Sequence, residues 1–312
     1  MKRVLAFAPA GIGNFAAGFD VLGAAIVPLD GPPLGDQVEI RLARADSFAC
    51  LGPFAHQLPA LPGDNLALKA CAEFQRAWGR ALPPLAIRLF KNLPVGSGLG
   101  SSSATVVATL AALDALLEAG LGEAALLRAG GATEAQGCGT YHLDNVAPAL
   151  LGGLRLVDPA GVPRPLPFPE DLLFAVASPG LQLNTRDARQ ALPAQVPQAL
   201  AVAHAQNLAS LVLALFTGDA GLLRTCLRDP LAEPHRAPLV PGFRAVQAAA
   251  LAQGALGCTL SGAGPAIFAV AGRDRAETVA EAMARAWMAA GVRCQVRLCR
   301  LEGQGARILE HS

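Results

Sequence analysis

Pro94-Val-Gly-Ser-Gly-Leu-Gly-Ser-Ser-Ser-Ala104 is the stretch on which the reading of this sequence turns. Gly96, Gly98 and Gly100 let the backbone approach a ligand closely, and the apolar helix whose pattern begins near Ser101 offers first-turn N–H groups that lack partners within the helix. Such a helix end binds phosphate, and its dipole adds about half a positive charge there. Hydroxyls at Ser101, Ser102 and Ser103 stand where phosphate oxygens or a metal ion are within reach. A purely structural glycine turn capped by serines has the same spacing, so the flanking sequence has to decide.

Two other phosphate loops are excluded. No G-K-[ST] follows the glycines, and G-x-G-x-G is not the G-x-G-x-x-G of dinucleotide folds. Glu118, at the distance of a ribose-binding acid, falls late in the same apolar helix and not at the end of a second strand, which argues against hydride transfer. No G-x-S-x-G elbow is present either.

Outward from the loop, Leu85 to Phe90 alternates as a half-buried strand, so strand, glycine loop and helix come in that order. Glu123 to Arg128 and Thr133 to Gly137 read as two short helices, and Gly153 to Val157 as a strand. Five prolines between Asp158 and Pro169 predict an extended crossing, which puts a domain boundary at residues 1–160 and 161–312. Beyond it, strands are expected at Leu172 to Ala177, Gly257 to Leu260, Ala266 to Ala271 and Arg293 to Leu301. Helices are expected at Pro197 to Thr217, Ala220 to Arg228, Gly242 to Gln253 and Arg275 to Ala290. This half reads as α+β.

Composition narrows the function classes. The net charge of +1 with 16% charged residues leaves no field to attract a polyanion, so nucleic acid is not an expected partner. The seven cysteines are odd in number and scattered without a C-x-x-C pair, which predicts reduced, mostly buried thiols. Lys2 and Arg3 before Val4 to Phe7 mimic a signal peptide, but Pro9 cuts the apolar run short. The apolar stretch Ala104 to Leu117 contains Asp114 and falls short of the roughly 20 residues that cross a bilayer, so a buried helix, a cytoplasmic protein and no membrane partner are expected.

The segment Pro94 to Ala104 resembles the P-x-x-x-G-L-G-S-S-A-A loop of the GHMP small-molecule kinases. Pro9-Ala-Gly-Ile-Gly-Asn-Phe-Ala-Ala-Gly-Phe-Asp-Val-Leu-Gly23 and Leu260-Ser-Gly-Ala-Gly-Pro265 are similar to that family's other two motifs and stand in the same order. Within the family, Asn14, Gly18 to Gly23, His142-Leu-Asp-Asn-Val-Ala-Pro148 and Gly152-Gly153 resemble the branch that phosphorylates homoserine.

The resemblance implies an α+β, two-domain GHMP kinase fold. Its N-terminal ATP-binding domain would be like ribosomal S5 domain 2 with a left-handed β-α-β unit, its C-terminal domain ferredoxin-like, and its active site would lie between them. It implies transfer of the γ-phosphate of ATP to the homoserine hydroxyl in threonine biosynthesis, and a homodimer. Roughly four negative charges on ATP must be neutralised. By similarity, Ser102 and Glu134 hold Mg²⁺, an ion that suits hard oxygen ligands. Pro94, Gly96, Ser97, Gly98, Leu99, Gly100, Ser101, Ser102 and Ser103 form the nucleotide loop, with Asn65 and Lys91 nearby. A zwitterionic acceptor needs a carboxylate for its ammonium and guanidinium groups for its carboxylate. Asn14 and Asp20 match the former, Arg189 and Arg236 the latter, and His142 and Asn145 lie near the hydroxyl. Asn145, Arg189 and Ser102 are the residues expected to act on the transferring group, with Arg236 in a non-helical stretch and Asp144 turned elsewhere. With Asn145 where several relatives have an Asp, the hydroxyl proton is expected to pass to a phosphate oxygen.

The sequence departs from the family's first motif, P-A-T-S-A-N-L-G-x-G-F-D. Gly11-Ile-Gly13 replaces T-S-A and Phe15-Ala16 replaces L-G, which puts the packing of the strand end against the phosphate loop in question. Two rival readings stay open at this point. One is a mevalonate-type kinase of the same family, whose substrate gives no reason for Asp20; the other is a catalytically silent member that senses ATP or an amino acid.

Overall fold

The first strand, β1 (Arg3–Gly13), changes partner part way along. From Arg3↔Arg41 to Pro9↔Gly35 it pairs antiparallel with β3 (Gly35–Leu42). From Ala10↔Ile26 to Gly13↔Gly23 it pairs with β2 (Leu22–Pro28). The switch falls between Pro9 and Ala10, so the first motif begins where two parts of the sheet diverge. This computed structural model describes residues 2–312, apart from the side chain of Cys138, whose expected reduced thiol therefore lies outside the described residues.

The N-terminal half adds β4 (Ser47–Leu51), α1 (Leu66–Trp78), β5 (Leu85–Phe90), α2 (Ser101–Leu117), α3 (Glu123–Cys138), α4 (Val146–Leu151) and β6 (Leu154–Val157). Strands β4 and β5 run parallel with α1 between them. Helix α2 packs on β1 and β3, with α1, α3 and α4 over its other side. That double cover is why Val106, Val107, Leu110, Leu113 and Leu116, spread around its circumference, are all buried.

The C-terminal half comprises β7 (Pro163–Leu166), β8 (Leu172–Pro179), α5 (Thr185–Gln190), α6 (Gln198–Thr217), α7 (Ala220–Cys226), α8 (Glu233–Arg236), α9 (Phe243–Ala252), β9 (Gly257–Leu260), β10 (Ile267–Gly272), α10 (Arg273–Ala289), β11 (Cys294–Leu301) and β12 (Arg307–His311). Its main strands lie in the order β11-β8-β10-β9, all antiparallel, the arrangement of a ferredoxin-like βαββαβ unit. A second core under α9 and α10 holds Phe243, Val246, Val279, Met283 and Trp287. The fold is α+β, as the sequence predicts.

The sheet is continuous across the halves. β11 pairs with β2, and β12 returns to pair with β1 at Val4↔His311. Phe15, the replacement in the first motif, is fully buried among C-terminal rings: it stacks on Phe268 at 5.4 Å and meets Phe168 and Phe174 edge-on. Ala16 adopts φ +60 where the family motif has glycine, a left-handed conformation that costs an L-residue about 1–2 kcal/mol.

Several expectations need correction. The two short helices are one, α3, because Gly130 and Gly131 serve close packing and do not break the helix. A Cβ at Gly130 would lie 2.6 Å from Val146 Cγ1, and one at Gly131 2.6 Å from the Tyr141 ring. The Pro-rich crossing includes a paired strand: β7 joins β6 from Leu154↔Leu166 to Val157↔Pro163, and as an edge strand it tolerates prolines. Arg236 ends a helical turn, α8, whose second residue, Pro234, is compatible with a helix start. The longest uncharged helix is α6, 20 residues long and apolar enough by composition to span a bilayer. Its Leu211, Ala214 and Leu215 are buried, and Asn207 donates to the carbonyls of Cys226 and Arg228.

Candidate active site

The glycine loop is held by its carbonyls. Leu183 N donates to Gly96 O at 3.0 Å, Ala266 N to Ser97 O at 2.9 Å, Ser261 Oγ to Gly98 O at 2.6 Å and Gly11 N to Leu99 O at 3.0 Å. With those four acceptors tied into the framework, amide edges and the first turn of α2 are left to face a ligand. Gly96, Gly98 and Gly100 have φ of +66, +82 and +63, which explains their identity. Leu99 points down into the core. Pro94 begins the loop without bordering the cavity above it.

That cavity has a volume of about 590 Å³ and is lined by Gly96, Ser97, Gly98, Gly100, Ser101, Ser102, Ser103, Asn65, Glu134, His142 and Asn145, with Asn184 to Asp187 and Gly262 to Gly264 opposite. Such a size suits a cofactor or nucleotide. Asn65 caps α1 by accepting from Ala67 N at 3.0 Å. Lys91 borders the cavity, but its ammonium is committed to internal acceptors: the Asp36 carboxylate, Ser101 O at 2.9 Å and Thr105 Oγ1 at 3.1 Å. Asp36, fully buried, also accepts from the amides of Asn92 and Leu93, so this pair clamps the strand before the loop to the helix after it. Sequence reading missed Asp36, which stands in a strand that also carries Gln37, Glu39 and Arg41, so nothing local set it apart.

Ser102 and Ser103 both donate to Glu134, at 2.9 and 3.1 Å. Burial pushes the Glu134 carboxyl up in pKa, opposed by those two hydroxyls and by His142. A hard divalent cation fits this donor set: it would stabilise the ionised form of a carboxylate that desolvation disfavours, beside a serine oxygen at a phosphate loop.

A charged cluster adjoins the cavity. Arg189 on α5 pairs with Asp20 through both terminal guanidinium nitrogens. Arg236, 3% exposed, donates to Gly262 O at 3.1 Å and Ala188 O at 3.2 Å. Burial lowers the Arg236 pKa, with Asp229 and Asp20 opposing the shift and Arg189 adding to it. Phe19, another residue the sequence reading passed over, puts its ring 5.4 Å from the Arg189 guanidinium and 5.2 Å from that of Arg236. Asn14, at φ +62, donates to Gly262 O at 2.9 Å and accepts from Asp20 N at 3.1 Å.

Asp144 is turned into this cluster and not away from it. Its carboxylate, 1% exposed, accepts from Asn14 N and Asn145 Nδ2, each at 3.1 Å, and lies 3.0 Å from His142 Nδ1. The structure thus brings Asn14, Asp20, His142, Asn145, Arg189 and Arg236 together beside the cavity, with Ser102 and Glu134 near enough for His142 to act on the Glu134 carboxyl. A phosphate-binding loop facing a cluster of opposed charges can position a phosphoanhydride against a small zwitterion.

Family comparisons agree with that class of site. The family model for the GHMP kinases N terminal domain matches residues 65–153, and that for GHMP kinases C terminal matches residues 211–290. The chain belongs to the GHMP kinases and is a small-molecule kinase of that family, whose members use ATP. A solved homoserine kinase from Cytophaga hutchinsonii is 34% identical with a TM-score of 0.89, over 98% of this chain and 97% of that one. A putative homoserine kinase from Listeria monocytogenes is 25% identical with a TM-score of 0.73, over 100% of both chains. A mevalonate kinase from L. major, in complex with R-mevalonate, shares the fold at 19% identity and a TM-score of 0.67, over 95% of both chains.

Proposed function

We propose that the chain transfers the γ-phosphate of ATP to the side-chain hydroxyl of L-homoserine, giving O-phospho-L-homoserine and ADP, a cytoplasmic step of threonine biosynthesis. The observation that carries this reading is the position of Asp20, Arg189 and Arg236 beside the phosphate loop. Their one negative and two positive charges complement an ammonium and a carboxylate, whereas mevalonate has no ammonium for Asp20. The 34% identity to a homoserine kinase over nearly the whole chain supports the same substrate.

In this reading the loop amides and the α2 N-terminus hold the triphosphate, and Asn145 lies between acceptor and phosphate. Ser102 and Glu134 would hold Mg²⁺, which when bound neutralises charge on the phosphates. Residues 1–160 act as the ATP-binding domain and 161–312 as the domain that supplies both arginines. The chain works as a homodimer, for which Val202, Leu213 and Phe216 on α6 provide an exposed apolar face.

The test is ADP release by the purified protein with L-homoserine, R-mevalonate or no acceptor, with the product read by ³¹P NMR. Phosphorylation of homoserine at least a hundredfold faster than of mevalonate is expected. Faster turnover of mevalonate, or ATP binding without turnover of either alcohol, removes the assignment.

A further inference from the structure

Gly13 stands at the end of β1, and its backbone is not the reason it is glycine. Unlike Gly100, which caps α2 at φ +63, Gly13 sits in regular antiparallel pairing opposite Gly23. What excludes a larger residue is the Asn145 side chain: a Cβ on Gly13 would lie 2.4 Å from Asn145 Nδ2, 2.7 Å from Oδ1 and 2.9 Å from Cγ. The same carboxamide passes 3.3 Å from the Cβ position of Gly100 and 4.0 Å from that of Gly11. Its Nδ2 is anchored to Asp144 at 3.1 Å. Asn145 therefore lies in a slot made by the absent side chains of the first strand and the phosphate loop, and only at Gly13 does the slot depend on a glycine that the chain path leaves free to vary.

We propose that in this chain, where the family motif has alanine, Gly13 is a positioning residue for phosphoryl transfer: by omitting a Cβ it seats the Asn145 amide between the end of β1 and the phosphate loop. The inference rests on the reading of Asn145 as the neighbour of the acceptor hydroxyl. Alanine at this position needs no left-handed backbone, and the three atoms nearest its Cβ all belong to the Asn145 carboxamide, the end of a side chain, so the fold accommodates it. The amide, however, has to retreat by about 1 Å to reach ordinary contact distance. A misplacement of that size in a reacting site lowers turnover by up to about a hundredfold.

The experiment is a cycle of wild type, Gly13→Ala, Asn145→Ala and the double variant, with steady-state kinetics, thermal melts and a crystal structure of Gly13→Ala. Expected are a kcat about 10- to 100-fold lower for Gly13→Ala, KM for ATP and homoserine within about threefold, and an unchanged melting temperature. Adding Gly13→Ala to Asn145→Ala should bring little further loss. Wild-type kcat in Gly13→Ala, or a full extra loss on top of Asn145→Ala, overturns the proposal. If wild type fails to phosphorylate homoserine, the substrate reading fails separately. The crystal structure then decides: a displaced Asn145 amide upholds the positioning role, and an unmoved one ends it.

Discussion

Arg189 grips Asp20 with both terminal nitrogens of its guanidinium, Nη2 to Oδ1 at 2.8 Å and Nη1 to Oδ2 at 3.0 Å. In the proposed reading the pair stands where an amino-acid substrate would bind, and each partner is the complement of one end of a zwitterion. A molecule with both charges can exchange this internal pair for two external ones. A molecule with one charge leaves an arginine or an aspartate unmatched.

The first prediction follows from that exchange. 4-Hydroxybutanoate and 3-aminopropan-1-ol, each lacking one charged group of homoserine, should both lose at least about tenfold in kcat/KM, or about 1.4 kcal/mol. Asp20→Asn should raise the KM for homoserine with little effect on stability. Both side chains keep substantial exposure, 26% and 30%, so the pair itself stabilises the fold by about 0–1 kcal/mol. Kinetics with the two analogues and a thermal melt of the variant decide it. Wild-type kcat/KM on 4-hydroxybutanoate would remove Asp20 from substrate binding.

A second prediction concerns Glu134. Its pKa is raised by burial above the ordinary 4.5, so the folded state holds a proton that the unfolded chain has already released. Stability from this group is complete below the unfolded value and declines as pH rises through the folded one. Glu134→Gln escapes that decline and should melt at or above the wild-type temperature at neutral pH, with the gap closing toward pH 4.5. Its kcat should nonetheless drop about a hundredfold or more if the proposed metal ligand is lost with it. Melts between acid and neutral pH, set beside ATP turnover, test both halves. A variant that is less stable at neutral pH contradicts the burial account.

Lys91 gives a third. Its ammonium and the Asp36 carboxylate are both almost wholly buried. Removing one member leaves the other charge uncompensated, at a cost of about 3–5 kcal/mol. Lys91→Met should therefore appear chiefly as a stability variant in chemical denaturation. If it keeps wild-type stability and instead raises the KM for ATP a hundredfold, the ammonium serves the nucleotide directly.

Local pattern made some of this legible in the sequence. The alternation of Leu85 to Phe90 and the mostly apolar run after Ser103 gave β5 and α2, since both are set by which faces are buried. Gly130 and Gly131 were misleading because glycine is read as a breaker, while here contact with Val146 and Tyr141 requires it within a helix. The return of β12 to β1 has no local signal at all. At the site, motif order brought the right residues to notice, but not their pairing. Nothing in sequence spacing tells that Arg189 meets Asp20 across 169 positions, or that Lys91 is spent on Asp36 and not left free beside the nucleotide.

Asp144 supplies the last prediction, because its geometry bears on where the acceptor proton goes. One carboxylate oxygen accepts from Asn14 N and Asn145 Nδ2, and the other faces His142 Nδ1. With Oδ2 engaged by two protein donors and Oδ1 set 3.0 Å from the His142 ring, the carboxylate is arranged to hold three site residues in place more than to take a proton from a substrate. Asp144→Asn preserves the shape but presents an NH₂ to one of those neighbours. The substrate pocket should loosen, with KM for homoserine up and kcat down by about 10- to 100-fold, while the pH profile keeps its form. A general base lost from the same position behaves differently: substrate binding is unchanged and turnover falls more than about a thousandfold. Steady-state kinetics over pH, with homoserine binding measured by calorimetry, separate the two, and the second result would make Asp144 the base and end the direct transfer of the proton to phosphate.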